Sequence, residues 1–292
     1  MKKTMKKIAS AFLAAALAAV SLTACGGGNS AAGTSAAGEN ADGKKVLKVA
    51  MECSYAPYNW TQPTDANGAV PISGSSDFAY GYDVMIAKKV ADELGYDLEI
   101  VKLDWDSLVP AVQAGTVDCV IAGQSITADR LQSVDFTDPY YYATIVTLVK
   151  AGSKYENAKS VADLAGAVSS SQINTIWYDG CLPQIPDGKI QPAHESVPAM
   201  LVALNAGGID LVVTDKPTGQ AALIAYPDFR LLDFTGTEGE FQVSEEDINI
   251  GVSLKKGNTE LKDAINGVLS KMNETDFDKM MEDAIAVQPL SN

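Results

Sequence analysis

Short apolar runs alternate with segments of helical periodicity along most of the chain, the pattern of a βαβ protein. Residues Val46 to Glu52, Leu98 to Lys102, Val117 to Ala122, Ala143 to Val149, Ile209 to Val213 and Ile248 to Leu254 read as strands. Helical spacing runs from Tyr82 to Leu94, from Ser107 to Ala114, and from Pro198 to Asn205. Gly115 ends the second of these, while Ser196 and Gly207-Gly208 mark the start and stop of the third. Val161 to Leu164, Thr175 to Tyr178 and Pro217 to Ala225 read as further helical stretches, and Thr259 to Met272 and Phe277 to Ile285 as two closing helices. The alternation predicts an α/β protein of mostly parallel sheets flanked by helices, with ligands beyond the carboxyl ends of the strands. Thr61 to Ala79, rich in Gly, Pro, Ser and Asp, reads as a loop that either borders a cleft or decorates the surface.

The pattern differs before residue 45. Lys2, Lys3, Lys6 and Lys7 precede an apolar run from Ile8 to Val20, and Leu22-Thr23-Ala24-Cys25 follows. This reads as an export signal, since a permanent span needs about 20 apolar residues and the run is shorter. Leu-x-Ala-Cys resembles a bacterial lipobox, which implies cleavage after residue 24 and a diacylglyceryl group on the Cys25 thiol. Gly26 to Gly43, mostly Gly, Ala, Ser and Asn, carries too little apolar surface to fold and reads as a flexible tether, giving a signal over 1–24 and a tether over 25–44.

Removing the four signal lysines leaves 18 basic residues against 37 acidic ones, a net charge of −19. Nucleic acid and anionic membrane surfaces are poor partners for such a chain. The remaining length suits two lobes with cores that need no disulfides. Cys53 lies just beyond the end of one expected strand and Cys119 near the start of another, out of disulfide reach if those strands run parallel and adjacent, and Cys181 has no evident partner, so three buried or unreactive thiols are expected.

Candidate chemistry is densest at Val117 to Arg130, where an apolar strand ends in Gly123-Gln124-Ser125 and a Thr127-capped helical turn carries Arg130. Gly123 admits close approach to bare backbone, Ser125 and Thr127 offer hydroxyls, and Arg130 can hold two carboxylate oxygens in a planar fork. An ordinary strand-to-helix corner with a surface arginine has the same pattern.

Several segments in this order resemble the exported solute-binding proteins of ABC importers that bind polar amino acids. They are Met51-Glu52-Cys53-Ser54-Tyr55-Ala56-Pro57-Tyr58, Gly81-Tyr82-Asp83-Val84, Asp104 to Ala111, Ala122 to Arg130, Val134 to Tyr141 and Gly208 to Asp215. The resemblance runs from about Val46 to Ile285. It implies a two-lobed periplasmic-binding-protein-like (type II) fold with two hinge strands, lobe one over 45–142 plus 251–292 and lobe two over 143–250, and a monomer that delivers an amino acid to a membrane permease without a cofactor. It also implies roles. Arg130 would clamp the ligand α-carboxylate beside Ser125, the Gly123 carbonyl and Asp215 would take the α-ammonium, and Asn174 and Thr175 would donate to the carboxylate from the other lobe. Asp215 reads equally as a cap for the helix from Lys216 onward. The segment around Asn174 departs from the family, with Asn for the usual Gly, Ile176 for a second hydroxyl, and Ser169-Ser170-Ser171 in a normally apolar strand.

Side-chain selectivity would rest on Glu52, Tyr55 and Trp105, because an acid between aromatic faces suits a cation, although a neutral polar or aromatic ligand also fits two aromatics. Glu52 could instead be solvated or paired with a lobe residue, and Trp105 could be core. His194, the single histidine, lies beside Glu195 without zinc-site spacing, and no nucleophile elbow, phosphate loop or carboxylate pair stands out. The expectation is therefore a lipid-anchored receptor on the extracytoplasmic face of the cell membrane. A dehydratase-like enzyme on the same fold, with Glu52 as acid or base, and a ligand-sensing module are the alternatives.

Overall fold

A computed structural model describes residues 40 and 43–289, so the expected signal, Cys25 and nearly all of the expected tether lie outside the described residues. The far end of that tether is tied down, since Asn40 Nδ2 and Lys44 Nζ both hydrogen-bond the Asp97 carboxylate.

The chain begins with β1 (Val46–Met51), β2 (Ser54–Tyr55), β3 (Asn59–Gln62), β4 (Val70–Pro71), β5 (Phe78–Tyr80) and α1 (Tyr82–Leu94). It continues through β6 (Asp97–Lys102), α2 (Trp105–Ala114), β7 (Cys119–Val120), α3 (Ala128–Ser133) and β8 (Val134–Phe136). After β9 (Tyr141–Tyr142) come β10 (Ile145–Lys150), β11 (Val168–Ser170), β12 (Lys189–Ile190), α4 (Val197–Asn205), β13 (Leu211–Asp215), α5 (Lys216–Ala225), β14 (Phe229–Asp233) and α6 (Glu245–Ile248). The last elements are β15 (Asn249–Ile250), β16 (Ser253–Lys255), α7 (Thr259–Leu269) and α8 (Glu274–Val287).

Two five-stranded sheets carry the fold, in the orders β6-β1-β7-β16-β8 and β12-β11-β13-β10-β14. In each, a single strand opposes the rest: β16 runs antiparallel to β7 and β8, and β10 to β13 and β14. Between the sheets β9 and β15 form a two-stranded antiparallel ladder, Tyr142 opposite Asn249 and Tyr141 opposite Ile250. The apolar run from Ile248 to Leu254 is thus two strands rather than one, in different sheets. Gly251 separates them where a Cβ would come 2.8 Å from Ile126 Cδ1.

Local chemistry accounts for the helix ends. Ser196 Oγ accepts from Ala199 N to start α4, and Asn273 and Asp276 form a reciprocal capping box on α8. Gly95 and Gly115 close α1 and α2 in the left-handed region, at φ 70° and 74°. Along α1, Tyr82, Ile86, Ala87, Val90 and Ala91 form the buried face.

The segment expected as a loop from Thr61 to Ala79 is mostly turns and irregular backbone, but it carries short strand pieces at 61–62, Val70–Pro71 and 78–79. With β2 it forms a four-stranded antiparallel sheet, β2-β3-β5-β4, in which Trp60 faces Tyr80. Pro71 sits on the edge strand β4, the place where a missing N–H breaks no ladder. The subdomain leans on the first sheet, with Ile72 bridging Ile100. Cys53, Cys119 and Cys181 are free and buried, and burial pushes the Cys53 and Cys181 thiols up to about 12.

Candidate functional site

The first-lobe wall is set by a buried polar chain. Asp83, in the first turn of α1 and fully buried, accepts from Asn59 Nδ2 (2.8 Å) and from the Tyr140 hydroxyl (2.8 Å). Asn59 Oδ1 in turn accepts from Cys53 N (2.6 Å), and the Tyr140 oxygen from Gly123 N (3.1 Å). The turns after β1 and β7 are thereby fixed relative to each other. Desolvation raises the Asp83 pKa to about 6, against the hydrogen bonds from Asn59 and Tyr140 that lower it.

On this frame Gly123 adopts φ 62°, and a Cβ there would lie 2.6 Å from Tyr55 Cε1. Gly123 was expected to admit a ligand to bare backbone. The Tyr55 ring takes the space a Cβ would fill, while the Gly123 backbone itself still borders the small cavity between the lobes. Thr127 Oγ1 accepts from Arg130 N and so caps α3. The Arg130 guanidinium donates to Ser125 O (2.9 Å) and to Asn174 O (2.8 Å) across the lobes, with its carbon 5.3 Å from the Trp105 ring centroid. Burial pulls its pKa down to about 10, against the Asp179 carboxylate, and the group stays cationic at neutral pH. Among the described residues the Ser125 hydroxyl has no hydrogen-bond partner.

The second lobe contributes the ends of β13 and β11. Asp215 is buried and caps α5, Oδ1 accepting from Thr218 N (2.9 Å) and Oδ2 from Thr218 Oγ1 (2.9 Å). Both its oxygens also accept from the first lobe, Oδ2 from the Tyr55 hydroxyl (2.7 Å) and Oδ1 from that of Tyr58 (3.3 Å). Desolvation raises its pKa, opposed by the donors from Thr218 and Tyr55. Asn174 stands at φ 56°, a conformation asparagine tolerates, which accounts for Asn where the family has Gly. Its Nδ2 donates to Asp106 Oδ1 (2.8 Å). Thr175 donates to Gln172 O (2.7 Å) and accepts from Tyr178 N, so its hydroxyl proton is already placed. Of the three buried serines at 169–171, Ser170 donates to Pro192 O and Ser171 to Val213 O, while Ser169 Oγ has no partner among the described residues.

Between these walls lies a cavity of about 10 Å³ lined by Tyr55, Trp105, Gly123, Ser125, Arg130, Gln172, Thr175, Ile176 and Trp177. That is about the space one water needs, so an amino acid enters only when the walls part. Six of the expected residues line it. Asp215 joins through the Tyr55 hydroxyl, Asn174 through Arg130, and Glu52 through Gln172. Glu52 is not solvated: it is buried, accepts from Ser54 Oγ (3.0 Å) and Gln172 Nε2 (3.4 Å), and desolvation raises its pKa. Trp105 is buried, with Nε1 donating to Ile173 O (3.0 Å) of the other lobe. Sequence reasoning missed Gln172 and Trp177, whose signal was their place immediately around the Asn174-Thr175 pair. His194 shares a bridge with Gln172 through backbone, and burial lowers its pKa. Among the described residues no His, Cys, Asp and Glu side chains are grouped to hold a metal ion, and no helix is long and apolar enough to cross a membrane.

Comparison with known proteins agrees with this architecture. A family model described as bacterial extracellular solute-binding proteins, family 3, matches residues 47–284. A probable histidine-binding protein of Neisseria gonorrhoeae is 30% identical over 243 residues, 81% of each chain. The solved structure of an amino acid ABC transporter substrate-binding protein from Streptococcus pneumoniae, bound to L-arginine, is 27% identical with a TM-score of 0.70, covering 83% of this chain and 95% of that one. An ancestral amino-acid-binding protein, described as a precursor of cyclohexadienyl dehydratase, is 30% identical with a TM-score of 0.66 over 82% and 95% of the two chains. The described relatives are binding proteins, and the two-lobed α/β architecture is theirs. The chain belongs to the bacterial extracellular solute-binding proteins, family 3.

Proposed function

We propose that this protein is a lipid-anchored receptor that captures a polar amino acid, preferentially a cationic one, between lobe one (45–142 plus 251–292) and lobe two (143–250) and presents it to an ABC permease. The observation that carries the reading is the placement of Arg130 on the first lobe, lining the small cavity, and of buried Asp215 on the second, joined to that cavity through the Tyr55 hydroxyl. A zwitterion needs such a pair, because either charge buried alone costs several kcal/mol. The unpartnered Ser125 hydroxyl adds a donor beside Arg130, and Glu52 supplies an acceptor for a side-chain cation. Ligand that bridges the two charges favours the closed arrangement, since only there are both of its ends held. Anchoring through Cys25 keeps the receptor at the extracytoplasmic membrane face.

Calorimetric titration of the purified mature chain with the twenty amino acids tests the reading. Arg130→Ala and Asp215→Ala each abolish measurable binding, and near-normal affinity in either places the ligand elsewhere. Mass spectrometry of bound ligand recovers it intact; a converted product would favour the enzyme. A diacylglyceryl mass on the Cys25 peptide, absent in Cys25→Ala, checks the anchor.

A further inference from the structure

The start of α2 on the first lobe and the turn after β11 on the second meet across the cleft as two consecutive pairs of residues. Trp105 Nε1 donates to Ile173 O (3.0 Å), and Asn174 Nδ2 donates to Asp106 Oδ1 (2.8 Å). From α3 the Arg130 guanidinium adds a third bond, to Asn174 O (2.8 Å). Each of the three joins protein to protein, so none of them waits for a ligand. The turn that receives them is held firmly. Ile173 N donates to His194 O, Thr175 Oγ1 to Gln172 O, and Tyr178 N to Thr175 Oγ1, while Asn174 stands at φ 56°.

Neither Asp106 nor Asn174 lines the small cavity. Asp106 borders a separate space of about 460 Å³ together with Ser107 and Glu195, and Asn174 another of about 350 Å³ together with Thr127 and Asp179, so their hydrogen bond ties the lobes outside the ligand space. Among the described residues no other group donates to the Asp106 carboxylate and no lysine or arginine pairs with it, which leaves Asn174 as its partner. A carboxylate acceptor makes the stronger kind of hydrogen bond. The resemblance to amino-acid receptors would give Asn174 to the ligand carboxylate. Here its amide is engaged by the facing lobe instead.

We propose that Asp106 is a positioning residue: through Asn174 it latches the lobes together with or without ligand, and so sets how fast an amino acid enters and leaves while touching none of it. The lobes must break the latch to part in either case. Its loss therefore speeds entry and release together and changes affinity less than either rate, whereas loss of a ligand contact speeds release alone. The effect on rates rests on the proposed receptor function; the latch itself does not.

The test is stopped-flow binding of arginine, or of whichever of the twenty amino acids binds tightest, on wild type, Asp106→Asn, Asn174→Asp and the double exchange, with thermal melts confirming folding. Trp105 and Trp177 line the cavity, so tryptophan fluorescence reads the binding. Aspartate tolerates the left-handed backbone as asparagine does, so Asn174→Asp leaves the turn intact and sets two carboxylates face to face. Association and dissociation rate constants both rise roughly five- to tenfold, the size of one hydrogen bond to a charged group. Asp106→Asn stays within about threefold of wild type, since an amide oxygen still accepts. The double exchange, with donor and acceptor reversed, returns both rates to near those of wild type. If Asn174 held the ligand carboxylate instead, Asn174→Asp would lower affinity and Asp106→Asn would not rescue it. Ligand-free protein supplies a second readout: hydrogen exchange of the Trp105 indole N–H, held on Ile173 O, followed by NMR, speeds in Asn174→Asp and slows again in the double exchange. Unchanged rates, unchanged indole exchange or a failed rescue each overturn the latch and leave the receptor reading standing. If wild type binds none of the twenty amino acids, the receptor reading falls and the indole exchange alone decides the latch.

Discussion

Two buried aspartates, Asp83 and Asp215, each accept from tyrosine hydroxyls, and they differ in where the tyrosines come from. The donors to Asp83, Asn59 and Tyr140, belong to its own lobe. Those to Asp215 are divided: Thr218 caps from within, and Tyr55 and Tyr58 reach from the facing lobe. The same chemistry therefore does two jobs. A network closed within one lobe persists whether the lobes are together or apart, and it serves as scaffold. One completed across a cleft is made and broken by the motion of the lobes, so its donors can be exchanged for those of a ligand.

The largest expected effect tests the scaffold side. Asp83→Ala strips the acceptor from the Asn59 amide and the Tyr140 hydroxyl and frees the turn at Gly123, so stability falls by about 3–5 kcal/mol. Chemical denaturation measures this. The pH profile adds a second readout. With a folded pKa of about 6 against ~3.9 in an unfolded chain, Asp83 binds more protons folded than unfolded between those values. Its contribution to stability is therefore fullest below about pH 4 and declines as pH rises to about 6. The difference between wild type and Asp83→Ala should narrow over that interval; a difference that widens would mean the carboxylate is held as an anion.

A smaller effect, of opposite sign, is expected across the cleft. In Tyr55→Phe the ring still packs on Gly123, but the hydroxyl that competes for Asp215 Oδ2 is gone. An incoming ammonium no longer has to displace it, and amino-acid affinity rises by roughly three- to tenfold, about 1 kcal/mol. Titration calorimetry decides. Weakened binding would show that the hydroxyl contacts the ligand instead of competing with it, and the contrast between the two aspartates would lose its basis.

How legible these features are follows from how local they are. The strand and helix alternation could be read because an apolar run of five or more residues, or a helical face with a Gly or Ser at its ends, is self-contained in sequence. The strands β2 to β5 could not, being two to four residues long among turn-forming residues, and β14 hid its alternation behind Arg230 and Asp233. At the site, the spacing of Gly123, Ser125 and Arg130 is a local signal. The place of Tyr55 over Gly123 is not, nor is the use of Asp83, which reads as an ordinary acid in a first helical turn until Tyr140, 57 residues away, is seen to donate to it. Gln172 was masked by the serines before it.

Those serines belong to the smallest expected effect. The second sheet buries Thr147, Ser169 and Thr214 with hydroxyls that have no partner among the described residues, whereas the polar chain around Asp83 is matched donor to acceptor. A buried hydroxyl without a hydrogen bond costs about 1–3 kcal/mol, and valine replaces threonine with nearly the same shape and strand preference. Thr147 lies in the centre of β10, opposite Val213 and Leu232, away from the residues that line the cavity. Thr147→Val is therefore expected to stabilise the protein by about 1 kcal/mol, raising the melting temperature by about 2–4 °C with amino-acid affinity unchanged. A lowered melting temperature would show that this hydroxyl is hydrogen-bonded in solution. The contrast between the two sheets would then narrow to Ser169 and Thr214, and the division between a satisfied scaffold and an adaptable partner would rest chiefly on Asp215 and its tyrosines.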